Sequence, residues 1–286
     1  MDLKTVLCPV DFTRLAPREV EIAVEICRAF GARLVLHHNV SEIGPGLSRA
    51  WDWDSTHRSD EATFPDAQKT MKEMLAGIGS QVTTEAVVTR GPLEVVLLAL
   101  AEQLPADLVV LATHGRSTDE HASVTERLVR DAPCPILTFG EHEGVAPPPF
   151  RLTAGARESP VRVLVPTDLS QDGAPALAYA GALARAVPVQ LDVLHVVPGA
   201  GQADEARQRI EAALPAEVRS HAVVHVRTGS PAEEILAHVT ETEPVFAIVG
   251  AHARSFLRRF LTRDTTREVM HRARCPVLVV PAKTKA

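Results

Sequence analysis

LATHGRSTDEHASVTERLVRDAPCPILTF, residues 111–139, decides the fold. An apolar run ends at Thr113, and a turn with one glycine, Gly115, follows. A helical pattern fills the middle, and PILTF closes as a second apolar run. A buried strand that enters such a turn and returns through a helix to another strand is part of an α/β unit. The turn is also where backbone N–H groups can gather around a phosphate.

The stretch has a second copy. LATHGR (111–116) returns as VGAHAR (249–254), 138 residues on, and APCPILTF (132–139) returns as ARCPVLVV (273–280) at 141. Upstream, RGPLEVVLLAL (90–100) matches TGSPAEEILAH (228–238) at 138. TVLCPVDFT (5–13) matches RVLVPTDLS (162–170), and RLVLHHNV (33–40) matches QLDVLHVV (190–197), both at 157. The fall from 157 to 138 places 19 extra residues in the first half, before its Gly-Pro turn. A repeat of this length is a domain duplication. The domains read as 1–140 and 161–286, with a linker over 141–160 whose Pro147-Pro148-Pro149 run stops regular structure.

In the first copy VLCPV, RLVLHHNV, Val82–Val88, DLVVLA and PILTF read as strands. Helical patterns separate them: REVEIAVEICRAFG ending at Gly31, Ala67–Leu75, a segment from Gly91-Pro92 through Ala101, and a short helix before PILTF. Alternation of this kind predicts parallel sheets covered on both faces, and right-handed crossovers make them doubly wound. The expected class is α/β, two tandem Rossmann-like domains of five parallel strands each. Ligands then belong beyond the C-terminal strand ends, where the winding reverses.

The 286 residues, 45% hydrophobic with mean hydropathy near zero, suffice for two globular cores. A net charge of −6 argues against a general nucleic-acid binder. No apolar run approaches the roughly 20 residues that span a bilayer, and the N-terminus reads directly as a strand, so a cytoplasmic protein is expected. Cys8, Cys27, Cys134 and Cys275 have no C-x-x-C spacing and read as small buried hydrophobes.

Taken together, V-L-x-P-x-D at the start of each half, the Gly-Pro or Gly-Ser-Pro turn, T-H-G-R, and A-x-C-P before the last strand resemble the universal stress protein family in its tandem form. The resemblance implies an adenine-nucleotide site at the C-terminal ends of the first and fourth strands, taking ATP with magnesium. It implies that Asp11 and Asp168, with backbone near Val40 and Val197, hold the adenosine portion. A second reading of each Asp is that it orders its turn.

The family's phosphate loop is G-x-x-G, nine residues, then G-S or G-T. In the first half Ala112 stands at the first glycine, Gly115 at the second and Ala122-Ser123 at the final pair, with six residues between. In the second half Gly250 and Ala253 take the glycine positions, and Arg263-Asp264 the final pair. Each half thus keeps one glycine, where a β-carbon would restrict the turn and fill space near a phosphate. Ser123 reads as the N-cap of a capping box with Glu126, with phosphate contact as an addition, and Asp264 also reads as an N-cap. His114, Arg116, His252 and Arg254 flank the two loops. The first half is favoured for binding because it keeps T-H-G-R and Ser123 and has no acidic group at the phosphate end.

Other constellations are weaker. His37-His38 with Asp52, His57, Asp60 and Glu61 has irregular spacing, and His221 and His225 in one strand stand roughly 13 Å apart, so no metal site is expected. Arg254, Arg258, Arg259, Arg263, Arg267, Arg272 and Arg274 read as a solvated helix face. Trp51 and Trp53 lie in a first-half insertion, 41–65, read as folding over the first site or reaching the other domain. No G-x-S-x-G, Walker loop or paired catalytic carboxylate occurs, so no enzymatic activity is expected.

The reading is a non-enzymatic stress-response protein with degenerate adenine-nucleotide sites, binding ATP weakly or in one half only. A nucleotide-independent interaction scaffold for an unidentified protein partner is the alternative, and a slow ATPase is a third. Pairing of the final strands, PILTF and PVLVV, into an internal pseudo-dimer is expected from the resemblance, and a further homodimer besides.

Overall fold

The structure, a computed structural model, describes residues 1–40, 64–80, 82–113, 119–140, 149–152, 160–171, 173–251 and 262–282. The first half runs β1 (Thr5–Pro9), α1 (Ala16–Phe30), β2 (Arg33–Val40), α2 (Phe64–Ile78), β3 (Thr84–Arg90), α3 (Leu93–Gln103), β4 (Leu108–Thr113), α4 (Asp119–Asp131) and β5 (Ile136–Gly140). The second repeats it as β6 (Val161–Pro166), α5 (Ala174–Ala186), β7 (Val189–Val197), α6 (Ala203–Ala213), α7 (Ala216–Arg219), β8 (Ala222–Thr228), α8 (Pro231–Thr242), β9 (Phe246–Ala251), α9 (Thr262–Arg272) and β10 (Val277–Pro281). Among the described residues no helix is long and apolar enough to cross a membrane.

Local chemistry explains the elements. Helix α1 buries Glu19, Ile22, Ala23, Ile26 and Cys27, the spacing of one helical face, and Pro17 sits in its first turn. It stops at Gly31, whose φ of 68° is left-handed and whose N–H bonds the Cys27 carbonyl. The central strands are apolar on both faces because helices cover both.

Among the described residues ten strands form one sheet in the order β3-β2-β1-β4-β5-β10-β9-β6-β7-β8. Each half is doubly wound and parallel. The halves join where β5 and β10 pair antiparallel, Thr138 opposite Val277, Leu137 opposite Leu278 and Ile136 opposite Val279. On one face a single apolar core runs through both halves, and on the other each half has its own. Of the linker residues 149–152, two are docked: Phe150 is 1% and Leu152 2% exposed. Phe150 stacks on Phe246 of the second half, and the Leu152 N–H donates to Glu25 Oε1 at 3.3 Å.

Candidate functional site

In both halves the winding reverses between the first and fourth strands, so the crevice lies beyond β1 and β4 and again beyond β6 and β9. At the end of β1, Asp11 Oδ1 accepts hydrogen bonds from the Thr13 N–H at 2.9 Å and hydroxyl at 2.6 Å. After β6, Asp168 Oδ1 accepts from the Ser170 N–H at 2.9 Å. Between each pair lies a left-handed residue, Phe12 at φ 60° and Leu169 at φ 59°. A side chain in that conformation costs about 1–2 kcal/mol, so each carboxylate holds a turn that would otherwise relax. Both aspartates therefore order their turns.

The second strand of each half braces the same turn. His38 Nδ1 lies 2.8 Å from the Val10 carbonyl, and His195 Nδ1 lies 2.7 Å from the Thr167 carbonyl. A carbonyl only accepts, so each imidazole carries its proton on Nδ1. His38 also stacks on Phe12, with centroids 3.9 Å apart, and burial holds its pKa below the usual value.

The first crevice contains a carboxyl that the sequence reading missed. Glu19 projects from α1, is 4% exposed, and its Oε1 accepts the Ala112 N–H at 2.5 Å. Ala112 is the residue at the loop's first glycine position, so the first amide of the would-be phosphate loop is already bonded. Burial is the main cause that raises Glu19 to about pH 8; the Ala112 bond opposes this and nearby Asp11 adds to it. The carboxyl is therefore protonated at neutral pH, and its Oε2 has no hydrogen-bond partner. Glu19 thus adds a carboxyl to the first half at the loop's first glycine position. Glu19 lay in a helical pattern among core residues and read as part of the helix, not of the site.

The second crevice differs. The residue equivalent to Glu19, 157 positions on, is Ala176, buried in α5. Gly250 is buried at the end of β9, paired with Val280 of β10. The Gly-Pro and Gly-Ser turns are alike: Gly91 at φ 123° and Gly229 at φ 148° open the helices that follow. The Asn39 amide donates to the Gly91 carbonyl at 2.9 Å, and the Gly229 N–H to the Val197 carbonyl at 3.0 Å. Val40 stands beside this turn, paired with Arg90.

A family model described as the universal stress protein family matches residues 2–139 and, a second time, 161–281. The chain belongs to that family. A universal stress protein from Archaeoglobus fulgidus has a similar fold, with TM-score 0.67 and 18% identity over 98% of this chain and 97% of that one. So does a putative universal stress protein from Pseudomonas aeruginosa, with TM-score 0.59 and 17% identity over 98% and 93%. No curated protein matches.

In this tandem universal stress protein only part of the expected site lies in the described residues. His114, Gly115, Arg116, His252, Arg254 and Ala253 fall outside them, as do Trp51, Trp53, Asp52, His57, Asp60 and Glu61. Two capping expectations are corrected. Helix α4 begins at Asp119, so Ser123 lies within the helix rather than at its N-cap. Helix α9 begins at Thr262, so Asp264 lies in its first turn.

Of the arginine stretch, Arg267 pairs with Glu126 at 2.7 Å, joining α9 to α4, and Arg272 pairs with Glu233 and Glu268. His37 is fully buried with Nε2 2.7 Å from the Thr89 hydroxyl, which itself donates to Asn39 Oδ1 at 3.0 Å. The four cysteines are free and buried, and burial raises Cys27, Cys134 and Cys275 to about 12.

Proposed function

We propose that this universal stress protein is a non-enzymatic stress-response protein that binds adenine nucleotide weakly and in one half only, and that this half is the second. The observation that carries the reading is the Glu19–Ala112 hydrogen bond. A nucleotide entering the first crevice must displace a buried carboxyl to reach the Ala112 amide. The second crevice has Ala176 in that place and retains Gly250, where no β-carbon narrows the approach. Magnesium would accompany ATP and offset the charge of Asp264.

A second reading rests on a different observation. Asp11 and Asp168 both serve their own turns, which a scaffold without ligand also needs.

Calorimetric titration of ATP with magnesium separates these readings. One weak site per chain, weakened about tenfold or more by Gly250→Ala and by Asp168→Ala but not by Asp11→Ala, supports the proposal. Alanine is what the first half carries at the position of Gly250, so that variant keeps the fold. Binding lost only in Asp11→Ala would return the site to the first half, and no binding would leave the scaffold. Steady phosphate release above a no-protein control would establish the ATPase instead.

A further inference from the structure

The duplication supplies an internal control for the core of the second half. On one face of the sheet the first half carries Val35, Val87 and Leu100, all within or against its apolar cluster. The equivalent positions in the second half are Asp192 on β7, His225 on β8 and His238 on α8. Asp192 is fully buried and His238 is 2% exposed. One ligand-capable atom from each of the three lies within 4.8 Å of the others. Three aliphatic side chains have become a carboxylate and two imidazoles in one place, while Leu164, Leu194, Ile235 and Val239 of the same cluster stay apolar.

Internal hydrogen bonding accounts for only part of the exchange. Asp192 Oδ1 accepts from Gln190 Nε2 at 3.0 Å and hydrogen-bonds His225 Nε2 at 3.4 Å. Its Oδ2 faces the Arg162 guanidinium at 3.5 Å, an ion pair without hydrogen-bond alignment. Neither ring nitrogen of His238 has a hydrogen-bond partner, and the ring meets that of His225 edge-on with centroids 4.7 Å apart. An imidazole buried with both nitrogens unsatisfied is a cost without a local return.

We propose that Asp192, His225 and His238 bind a divalent transition cation of the zinc class, at a site separate from the nucleotide crevices. Two imidazole nitrogens and a carboxylate oxygen form a zinc ligand set that leaves a fourth position for water. Zinc bonds of about 2.0–2.2 Å put neighbouring ligand atoms of a tetrahedron roughly 3.4 Å apart. That is the separation of His225 Nε2 from Asp192 Oδ1, 3.4 Å. Gln190 fixes the carboxylate as an outer-shell partner does. His225, with its side chain 31% exposed on the edge strand β8, provides the way in. Arg162, 44% exposed, can swing into solvent as the cation takes over the charge of Asp192.

The test titrates zinc, and in parallel magnesium, into the full-length chain after chelator treatment, reading heat and the unfolding midpoint. Cobalt then replaces zinc for its tetrahedral visible absorption. The expected result is one zinc per chain and a midpoint raised by about 5 °C at roughly hundredfold excess over Kd. His238→Leu restores the residue of the first half and should fold while losing more than about a hundredfold in affinity. His225→Val, at a partly exposed position, should do the same. Zinc binding unchanged in both variants would overturn the proposal, and so would an equal response to magnesium. Absence of zinc binding, with His238→Leu more stable than the parent, would equally overturn it and make the cluster a polar network without a cation.

Discussion

Glu19 sets the chemistry of the first crevice by keeping a proton to about pH 8, against 4.5 for an ordinary glutamate. The native state therefore holds more protons than the unfolded chain between those values. The stability this contributes is complete below the lower value and is lost as pH rises through the upper one. Subtracting the urea-unfolding free energy of Glu19→Gln from that of the parent should give a difference falling by up to about 1.4 kcal/mol per pH unit between roughly pH 5 and 8. A flat difference would mean that the carboxyl is ionised as it meets Ala112. His37 has the opposite sign. Burial lowers it from 6.5 to about 4, so its contribution is present above 6.5 and lost as pH falls toward 4. In His37→Leu, the residue found at the equivalent position 194, acid unfolding should shift to lower pH, read by far-UV circular dichroism.

Elements take their bounds from residues at their ends, and these are where the sequence reading was least complete. The Gly31 stop of α1 and the Gly91 and Gly229 turns are legible because only glycine adopts positive φ without strain. Gly91→Ala, at φ 123°, should cost about 1–3 kcal/mol in urea unfolding. The starts of α4 and α9 lie upstream of Ser123 and Asp264, because a serine or aspartate inside a helix looks like a cap when no partner is visible. Helix α2 extends three residues beyond the predicted span at each end, to Phe64 and Ile78, since its apolar face has β2 and β3 to cover. Within the linker, Phe150 and Leu152 are packed into the core. Phe150 is buried against Phe246, so Phe150→Ala should destabilise the whole chain by about 3 kcal/mol and speed proteolysis at the linker.

At the scale of the molecule, the duplication pairs with itself. Leu137 lies opposite Leu278, which is its own counterpart 141 residues later, and the pairs on either side exchange counterparts in the same way. This is the pattern of a two-fold homodimer interface, formed here within one chain. The helices follow it, with α4 reaching β10 and α9 reaching β5. Leu137→Asp puts a charge in this seam and should destabilise by more than about 4 kcal/mol, with aggregation through the released edges. Leu278→Asp should match it closely, because the two positions are equivalent. Light scattering with thermal unfolding of both variants is the check, and a large asymmetry between them would show that the halves do not share one seam.

The sequence by itself determined the α/β class, the duplication, the strand and helix order, and the family. All of these follow from periodicity and from motifs whose spacing recurs along the chain. It also contained the two oddities of the cores, since Asp192 stands against Val35 and His238 against Leu100 within the matched repeats. Their meaning was not visible there, because His225 joins them only through the register of β7 with β8 and the packing of α8. Glu19 is the same case: 93 residues separate it from Ala112, and only the wrap of α1 over β4 brings the carboxyl to that amide. Periodicity reports which face a residue is on. Which distant atom it meets on that face is decided by tertiary packing.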